Sequence, residues 1–216
     1  MGVEIKFCGL TRPEDAQMAA ALGAAYVGVI FAGGPRELTA ERAKEVLADL
    51  PRSVRRVGVF AGQDASQIRR VVDLIRLDVV QLHGEATEAR IAQVRAAVRA
   101  DIWPVVRVTE GLPRQTASLI DLADGVLLDA FSPKALGGTG VSFSWPAVAD
   151  ELHSIRGEKP IILAGGLRPE NVGEAISALA PDVVDVSSGV ERAPGIKDHE
   201  RMRAFRDAVM HASIST

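Results

Sequence analysis

The stretch Glu4-Ile5-Lys6-Phe7-Cys8-Gly9-Leu10-Thr11-Arg12-Pro13 decides the fold. Glu4–Gly9 is a short β-prone run, and a helical stretch opens near Pro13-Glu14-Asp15 directly after it. A strand that hands over at once to a helix is the first half of a βαβ unit. In an open, doubly wound sheet that binds a dinucleotide, this turn would carry Gly-x-Gly-x-x-Gly. Here it reads Cys8-Gly9-Leu10-Thr11-Arg12-Pro13, so the fingerprint is absent.

The same alternation continues along the chain. Further strands are expected at Tyr26–Phe31, Arg56–Ala61, Val79–His83, Pro104–Val108, Gly125–Ala130, Pro160–Ala164 and Val183–Ser187. Between them lie helical segments with recognisable starts. Thr39 offers a capping hydroxyl, Asp64 leads into Ala65–Ile75, Pro113 sits near the first turn of a helix to Leu122, and Pro169 opens Glu170–Leu179. Eight units at a spacing of roughly 27 residues fit a closed barrel near the short end of its size range. The expected architecture is therefore a single-domain (β/α)8 TIM barrel spanning residues 1–216, with Ala212–Thr216 as a tail.

Composition narrows the function. The 216 residues carry a net charge of −3, with Lys and Arg scattered rather than gathered in a basic stripe, which argues against nucleic-acid binding. One cysteine cannot form an intrachain disulfide and favours a reducing compartment. Met1–Lys6 lacks the pattern of a signal peptide, and Lys6 breaks the Gly2 myristoylation pattern. No apolar run approaches the roughly 20 residues that span a bilayer. A cytoplasmic protein with no membrane partner is expected.

In a barrel of this kind, chemistry sits at the C-terminal ends of the strands. Cys8 closes the first strand. A lone thiol is more often core filler than catalyst. Asp129 ends the sixth strand after an apolar run, where it can serve as a general acid or merely as a cap or loop carboxylate. Gly165-Gly166 and Ser187-Ser188-Gly189 end the last two strands, the usual phosphate site of the fold. Leu136-Gly137-Gly138-Thr139-Gly140 lies in a long loop after strand six and reads equally as a lid or a solvated turn. His83 ends strand four and is more often structural than catalytic. The remaining histidines, His153, His199 and His211, lie in expected helices without ligand spacing, so no metal is expected.

Strand parity adds one more expectation. If Cys8 faces the lumen, so does Lys6, while Ile5 and Phe7 face helices. In strand eight Val184 and Val186 face helices and Asp185 and Ser187 face inward. Strands one and eight adjoin in a closed barrel, so Lys6 and Asp185 are expected to form a buried ion pair, neither charge being tolerable alone.

Five blocks in order resemble the phosphoribosylanthranilate isomerases, the aldose–ketose isomerases of tryptophan biosynthesis. They are Lys6-Phe7-Cys8-Gly9-Leu10-Thr11, Val80-Gln81-Leu82-His83-Gly84, Leu128-Asp129 with Gly137-Gly138-Thr139-Gly140, Leu163-Ala164-Gly165-Gly166-Leu167 with Pro169-Glu170-Asn171, and Asp185-Val186-Ser187-Ser188-Gly189-Val190-Glu191. The resemblance implies an Amadori rearrangement of N-(5'-phosphoribosyl)anthranilate, with Cys8 as general base and Asp129 as general acid. It implies Arg36 on the anthranilate carboxylate, where a guanidinium can donate two parallel hydrogen bonds. His83, Gly140 and Asp185 join Arg36 as substrate-binding residues, and Gly165, Gly166, Ser187, Ser188 and Gly189 hold the phosphate. The helix opening near Pro13 is expected to help form the Cys8 thiolate, against its own acidic residues. The family's usual Ser-Pro-Arg is replaced here by Gly34-Pro35-Arg36, so the flanking polarity differs. No cofactor is implied, and the partner is the small phosphosugar–anthranilate substrate, bound by a monomer or homodimer.

Other phosphosugar barrels fit less well. Pentose-phosphate epimerases need histidines and aspartates around a metal, and indole-glycerol-phosphate synthase needs catalytic lysines at strand ends, where only Lys6 is so placed. A non-catalytic phosphate-binding domain would have no use for both Cys8 and Asp129.

Overall fold

A computed structural model describes residues 2–84, 86–108, 111–129 and 145–214. Eight parallel strands form a closed barrel in sequential order: β1 (Glu4–Phe7), β2 (Tyr26–Ile30), β3 (Arg55–Phe60), β4 (Val79–Leu82), β5 (Asp101–Arg107), β6 (Val126–Asp129), β7 (Ile161–Ala164) and β8 (Val183–Val186). The ring closes by pairing β1 with β8, which sets Lys6 opposite Asp185. The surrounding helices are α1 (Pro13–Ala21), α2 (Ala40–Val46), α3 (Ala65–Ile75), α4 (Glu88–Ala97), α5 (Thr116–Leu122), α6 (Trp145–Ile155), α7 (Val172–Leu179) and α8 (His199–Ile214). No helix among the described residues is long and apolar enough to cross a membrane. The expected barrel is the observed one.

Alternation along the strands splits the apolar interior into two layers. Ile5, Phe7, Val80, Leu82, Val184 and Val186 face outward into the larger cluster between strands and helices. Val57, Val79, Trp103, Leu127, Ile162 and Val183 fill the lumen. There Trp103 packs on Tyr26 with ring centroids 4.9 Å apart. Their out-of-phase neighbours leave the lumen positions nearer the mouth for polar groups, so the parity expected for strands one and eight is the one observed.

Several boundaries differ from expectation. β5 starts at Asp101, three residues before Pro104. The proline is tolerated inside the strand because register pairing with β6 begins only at Val105. α5 starts at Thr116 rather than beside Pro113, whose carbonyl accepts from the Thr116 backbone N–H and hydroxyl. α7 starts at Val172 rather than at Glu170, because Asn171 uses its side chain to shape the preceding loop. The expected tail is helical as far as Ile214, and the Ser213 hydroxyl accepts from the Val3 N–H at 3.4 Å.

The caps read from sequence are present. Thr39 accepts from the Arg42 N–H, and Asp64 forms a reciprocal capping box with Gln67. One feature had no sequence signal. Between β8 and α8 the chain makes a 3-10 turn (Ser188–Val190) and a small antiparallel hairpin, β9 (Glu191–Ala193) with β10 (Ile196–Lys197).

Candidate active site

Cys8 lies one residue past β1, its N–H donating to the Val186 carbonyl at 2.9 Å. Its thiol sits against Gly28 of β2, where a Cβ would come within 2.9 Å of the sulfur. Glycine is thus the residue that makes room for the thiol. On the same inward row Lys6 is fully buried, with Nζ 2.9 Å from Asp185 Oδ2. The pair is in contact without the alignment of a directed hydrogen bond. Asp185 and the neighbouring thiol together outweigh the downward pull of burial and hold the Lys6 amine above its ordinary value.

Burial pushes the Cys8 thiol up, while Lys6 and then Lys197 pull it down and Asp185 adds to the rise. Burial wins, and the resting group is the thiol. Lys6 and Lys197 are the neighbouring charges that favour the thiolate. The first turn of α1 holds Glu14 and the fully buried Asp15. Asp15 accepts two bonds from Arg12, at 2.7 and 2.9 Å, one from the Lys197 backbone N–H, and lies 2.8 Å from His199. This carboxylate ties the start of α1 to the hairpin that carries Lys197.

The mouth of the barrel encloses a cavity of about 260 Å³ lined by Cys8, Gln81, His83, Asp129, Asp185 and Ser187, among others. The structure thereby brings together five residues that the sequence singled out, Cys8, His83, Asp129, Asp185 and Ser187, from the ends of four strands. His83 is exposed at the rim. Asp129 is half-buried at the last position of β6. Wider clefts of about 580 and 690 Å³ lie at the opposite end, around Arg55 and Asp101 and around Glu4 and Asp182, where the strands begin. We place the site at the smaller cavity because reacting groups of this fold come from the C-terminal strand ends.

Arg36 reaches the mouth already partnered. Its Nε and Nη2 donate to the two carboxylate oxygens of Glu191 at 2.8 and 2.6 Å. Glu191 also accepts from Lys197 Nζ at 2.9 Å, and that amine donates to the Ser187 carbonyl at 3.0 Å. Burial opposes the Glu191 charge, but Arg36 and Lys197 hold the carboxyl below its usual range. A guanidinium gripped along its Nε–Nη2 edge still has donors on the Nη1 side. Gly9, at φ 71°, makes this approach possible, since a Cβ there would lie 2.7 Å from Arg36 Cδ and 2.9 Å from Ser187 Oγ. Glu191 and Lys197 are the residues that sequence reading missed as parts of the mouth. The hairpin that brings them together carried no sequence signal, so neither residue could be placed there by counting.

The two glycine-bearing loops lie against each other. Gly165 and Gly166 have φ values of 101° and 66°. Asn171 folds back over them, its Oδ1 accepting from the Arg168 N–H at 2.8 Å and its Nδ2 donating to the Gly166 carbonyl at 3.1 Å. Across from them, a Cβ on Gly189 would run into the Leu167 carbonyl oxygen. The Gly189 carbonyl is held from α8 by Arg201 Nε at 3.0 Å. Gly189 is therefore packed backbone to backbone against Leu167 and Arg168 of the loop after β7. Gly189→Ala must separate the two loops. The expected result is at least a tenfold rise in KM with a smaller change in kcat, checked by steady-state kinetics. Gly140 lies outside the described residues, as does most of its loop. Among the described residues no group of His, Cys, Asp and Glu is placed to hold a metal ion.

Such a mouth, with a thiol and a carboxylate lining one small cavity and an arginine fixed by Glu191 beside Gly9 and Ser187, defines a (β/α)8-barrel enzyme of the sugar-phosphate isomerase class. The family model described as N-(5'phosphoribosyl)anthranilate (PRA) isomerase matches residues 5–208. An N-(5'-phosphoribosyl)anthranilate isomerase of Acidithiobacillus ferrooxidans is 44% identical over 205 residues, covering 94% of this chain and 95% of its own. The crystal structure of the phosphoribosyl anthranilate isomerase from Thermotoga maritima superposes with a TM-score of 0.83 at 34% identity, covering 97% of this chain and 99% of its own. A structure of such an isomerase in complex with reduced 1-(o-carboxyphenylamino)-1-deoxyribulose 5-phosphate gives a TM-score of 0.82 at 32% identity, with coverage of 97% and 99%. The chain belongs to the N-(5'-phosphoribosyl)anthranilate isomerase family.

Proposed function

We propose that this isomerase of tryptophan biosynthesis converts N-(5'-phosphoribosyl)anthranilate to 1-(2-carboxyphenylamino)-1-deoxyribulose 5-phosphate with Asp129 as acid and Cys8 as base. The observation that carries these roles is that both side chains line the same 260 Å³ cavity at the barrel mouth. Asp129 gives a proton to the ribose ring oxygen as the C1–O bond breaks, leaving a protonated Schiff base at C1. The Cys8 thiolate removes the C2 proton, and the C–H electron pair becomes the C1–C2 double bond of an enolamine while the iminium pair returns to nitrogen. Protonation at C1 and loss of the C2 hydroxyl proton yield the ketone. Proton transfer by positioned side chains of this kind is worth about 10²–10⁴-fold each.

The Nη1 side of Arg36 takes the anthranilate carboxylate, with Glu191 and Lys197 fixing the guanidinium. His83 and Asp185 contact the sugar from the wall. The amides and hydroxyls of Gly165, Gly166, Ser187, Ser188 and Gly189 receive the phosphate. Gly140 contributes from the loop after β6. The enzyme works in the cytoplasm. The enzyme acts as a monomer or homodimer; among the described residues its exposed large apolar side chains, Leu74, Leu122 and Met210, sit on three different helices.

The assay is loss of the fluorescence of freshly generated phosphoribosylanthranilate. The parent enzyme turns it over, and Asp129→Asn is expected to fall about 10²–10³-fold in kcat/KM. Turnover by Asp129→Asn within threefold of the parent would remove the acid role. The pH profile tests the base. A thiol raised by burial is largely protonated at neutral pH, so the thiolate fraction grows as pH climbs through the raised value. kcat/KM is therefore expected to climb from about pH 7 to 9 without levelling off, because the raised thiol titrates above the ordinary thiol value of about 8.5. A flat or falling profile across that window would contradict a thiolate base.

A further inference from the structure

Gln81 occupies a lumen position of β4, in phase with Val79 of the inner apolar layer and out of phase with Val80 and Leu82. It is 4% exposed and lines the mouth cavity together with Cys8 and Asp129. Its register neighbours are Val59 on β3 and Trp103 on β5. Val59 has no polar atom to offer, and the indole N–H of Trp103 is itself without a partner. Among the described residues, Gln81 Oε1 is a buried acceptor that nothing satisfies. Buried carboxamides without partners are rare, because the desolvation of the group is not repaid. An apolar residue of the same length would fill this layer at less expense. The remaining use for the group is a ligand in the cavity.

The chemistry of the position selects the ligand atom. Asp129, Asp185, Cys8 and His83 provide the ionisable groups of the cavity, whereas Gln81 is neutral at every working pH. A carbonyl oxygen that is neutral and fixed can only accept, and the donors that a sugar chain brings are its hydroxyls. Cys8 on the β1 side, Asp129 on β6 and Gln81 on β4 line one cavity of about 260 Å³, with the amide on the wall facing the arc that runs from β6 through β7 and β8 to β1. We propose that Gln81 is a substrate-binding residue whose Oε1 accepts a hydrogen bond from a hydroxyl of the open sugar chain, at C2 or C3. The proposal rests on the isomerase reading of the cavity. It adds a contact that orients the C2–H bond toward Cys8.

The test uses Gln81→Met, which keeps the length and removes the polar atoms, and the reduced product 1-(o-carboxyphenylamino)-1-deoxyribulose 5-phosphate as a stable probe. Gln81→Met is expected to keep or raise the thermal midpoint while kcat/KM falls at least 30-fold. Titrating the probe and its 2-deoxy and 3-deoxy forms completes a cycle. In the parent, deleting one of the two hydroxyls weakens binding at least tenfold, and in Gln81→Met the same deletion changes affinity by less than threefold. Equal losses for parent and variant, or kcat/KM retained within threefold, overturn the proposal. A lower midpoint together with equal losses shows that the amide serves packing alone. If the parent fails to bind the intact probe at all, the isomerase reading fails instead.

Discussion

Replacing Cys8 with alanine is expected to lower kcat/KM by about 10³-fold, equivalent to roughly 4 kcal/mol of transition-state stabilisation. In the proposed mechanism Cys8 is the base, and the charged groups packed closest to it are committed elsewhere. Asp185 is committed to Lys6, and Lys6 is held protonated beneath the thiol. Binding is expected to be nearly unaffected, because in the proposed mechanism the thiol acts on the reacting carbon and not on the anionic ends of the substrate. Stopped assays give the first quantity, and titration of the reduced product gives the second. Slow exchange of the C2 proton with solvent in the variant would support the same step. Retention of a tenth or more of the parent rate would sink the role, since a missing base cannot leave so much.

The second large effect is on stability. Lys6→Met leaves the Asp185 carboxylate, 8% exposed, without its counter-charge inside the barrel. Breaking one side of a buried pair typically costs about 3–5 kcal/mol, because the partner's desolvation is then unopposed. Urea unfolding of Lys6→Met is expected to show that loss as a lower midpoint with an unchanged slope. Replacing both partners, Lys6→Met with Asp185→Leu, should recover most of it, since no buried charge is left. If the double variant were no more stable than the single one, the damage would lie in packing and not in electrostatics.

That pair was legible before any coordinates, and for a simple reason. Alternation has a period of two, and ring closure makes the first and last strands neighbours, so a charge at each of two known positions can be matched by counting. The strand-end residues were legible on the same logic, because a closed barrel aims every C-terminal strand end at one place. What stayed hidden depends on atoms that sequence distance does not connect. Arg36 and Glu191 stand 155 residues apart, and the grip between them follows from a hairpin only five residues around its turn. Asp15 read as an opponent of the thiolate and proved to be an anchor for His199 and Lys197. Prolines misled three times, Pro113 by lying three residues ahead of the helix it was read as opening. Pro104 read as the start of a strand it sits inside, and Pro169 as the start of a helix that waits for Asn171. Gln81 passed unnoticed as a reacting-site residue because an amide between apolar neighbours carries no periodic signal.

The backbone contact between Gly189 and the Leu167 carbonyl has an evolutionary side. A cradle made from main-chain peptides and held by glycine is almost indifferent to which side chains surround it. Mutations drifting through the walls, at the ends of β1, β4 and β6, can therefore alter the reaction while the anchoring of the ligand's tail persists. A barrel arranged in this way offers a fixed handle and an editable working end. Descendants can explore new rearrangements of phosphorylated sugars without first having to reinvent how to hold one.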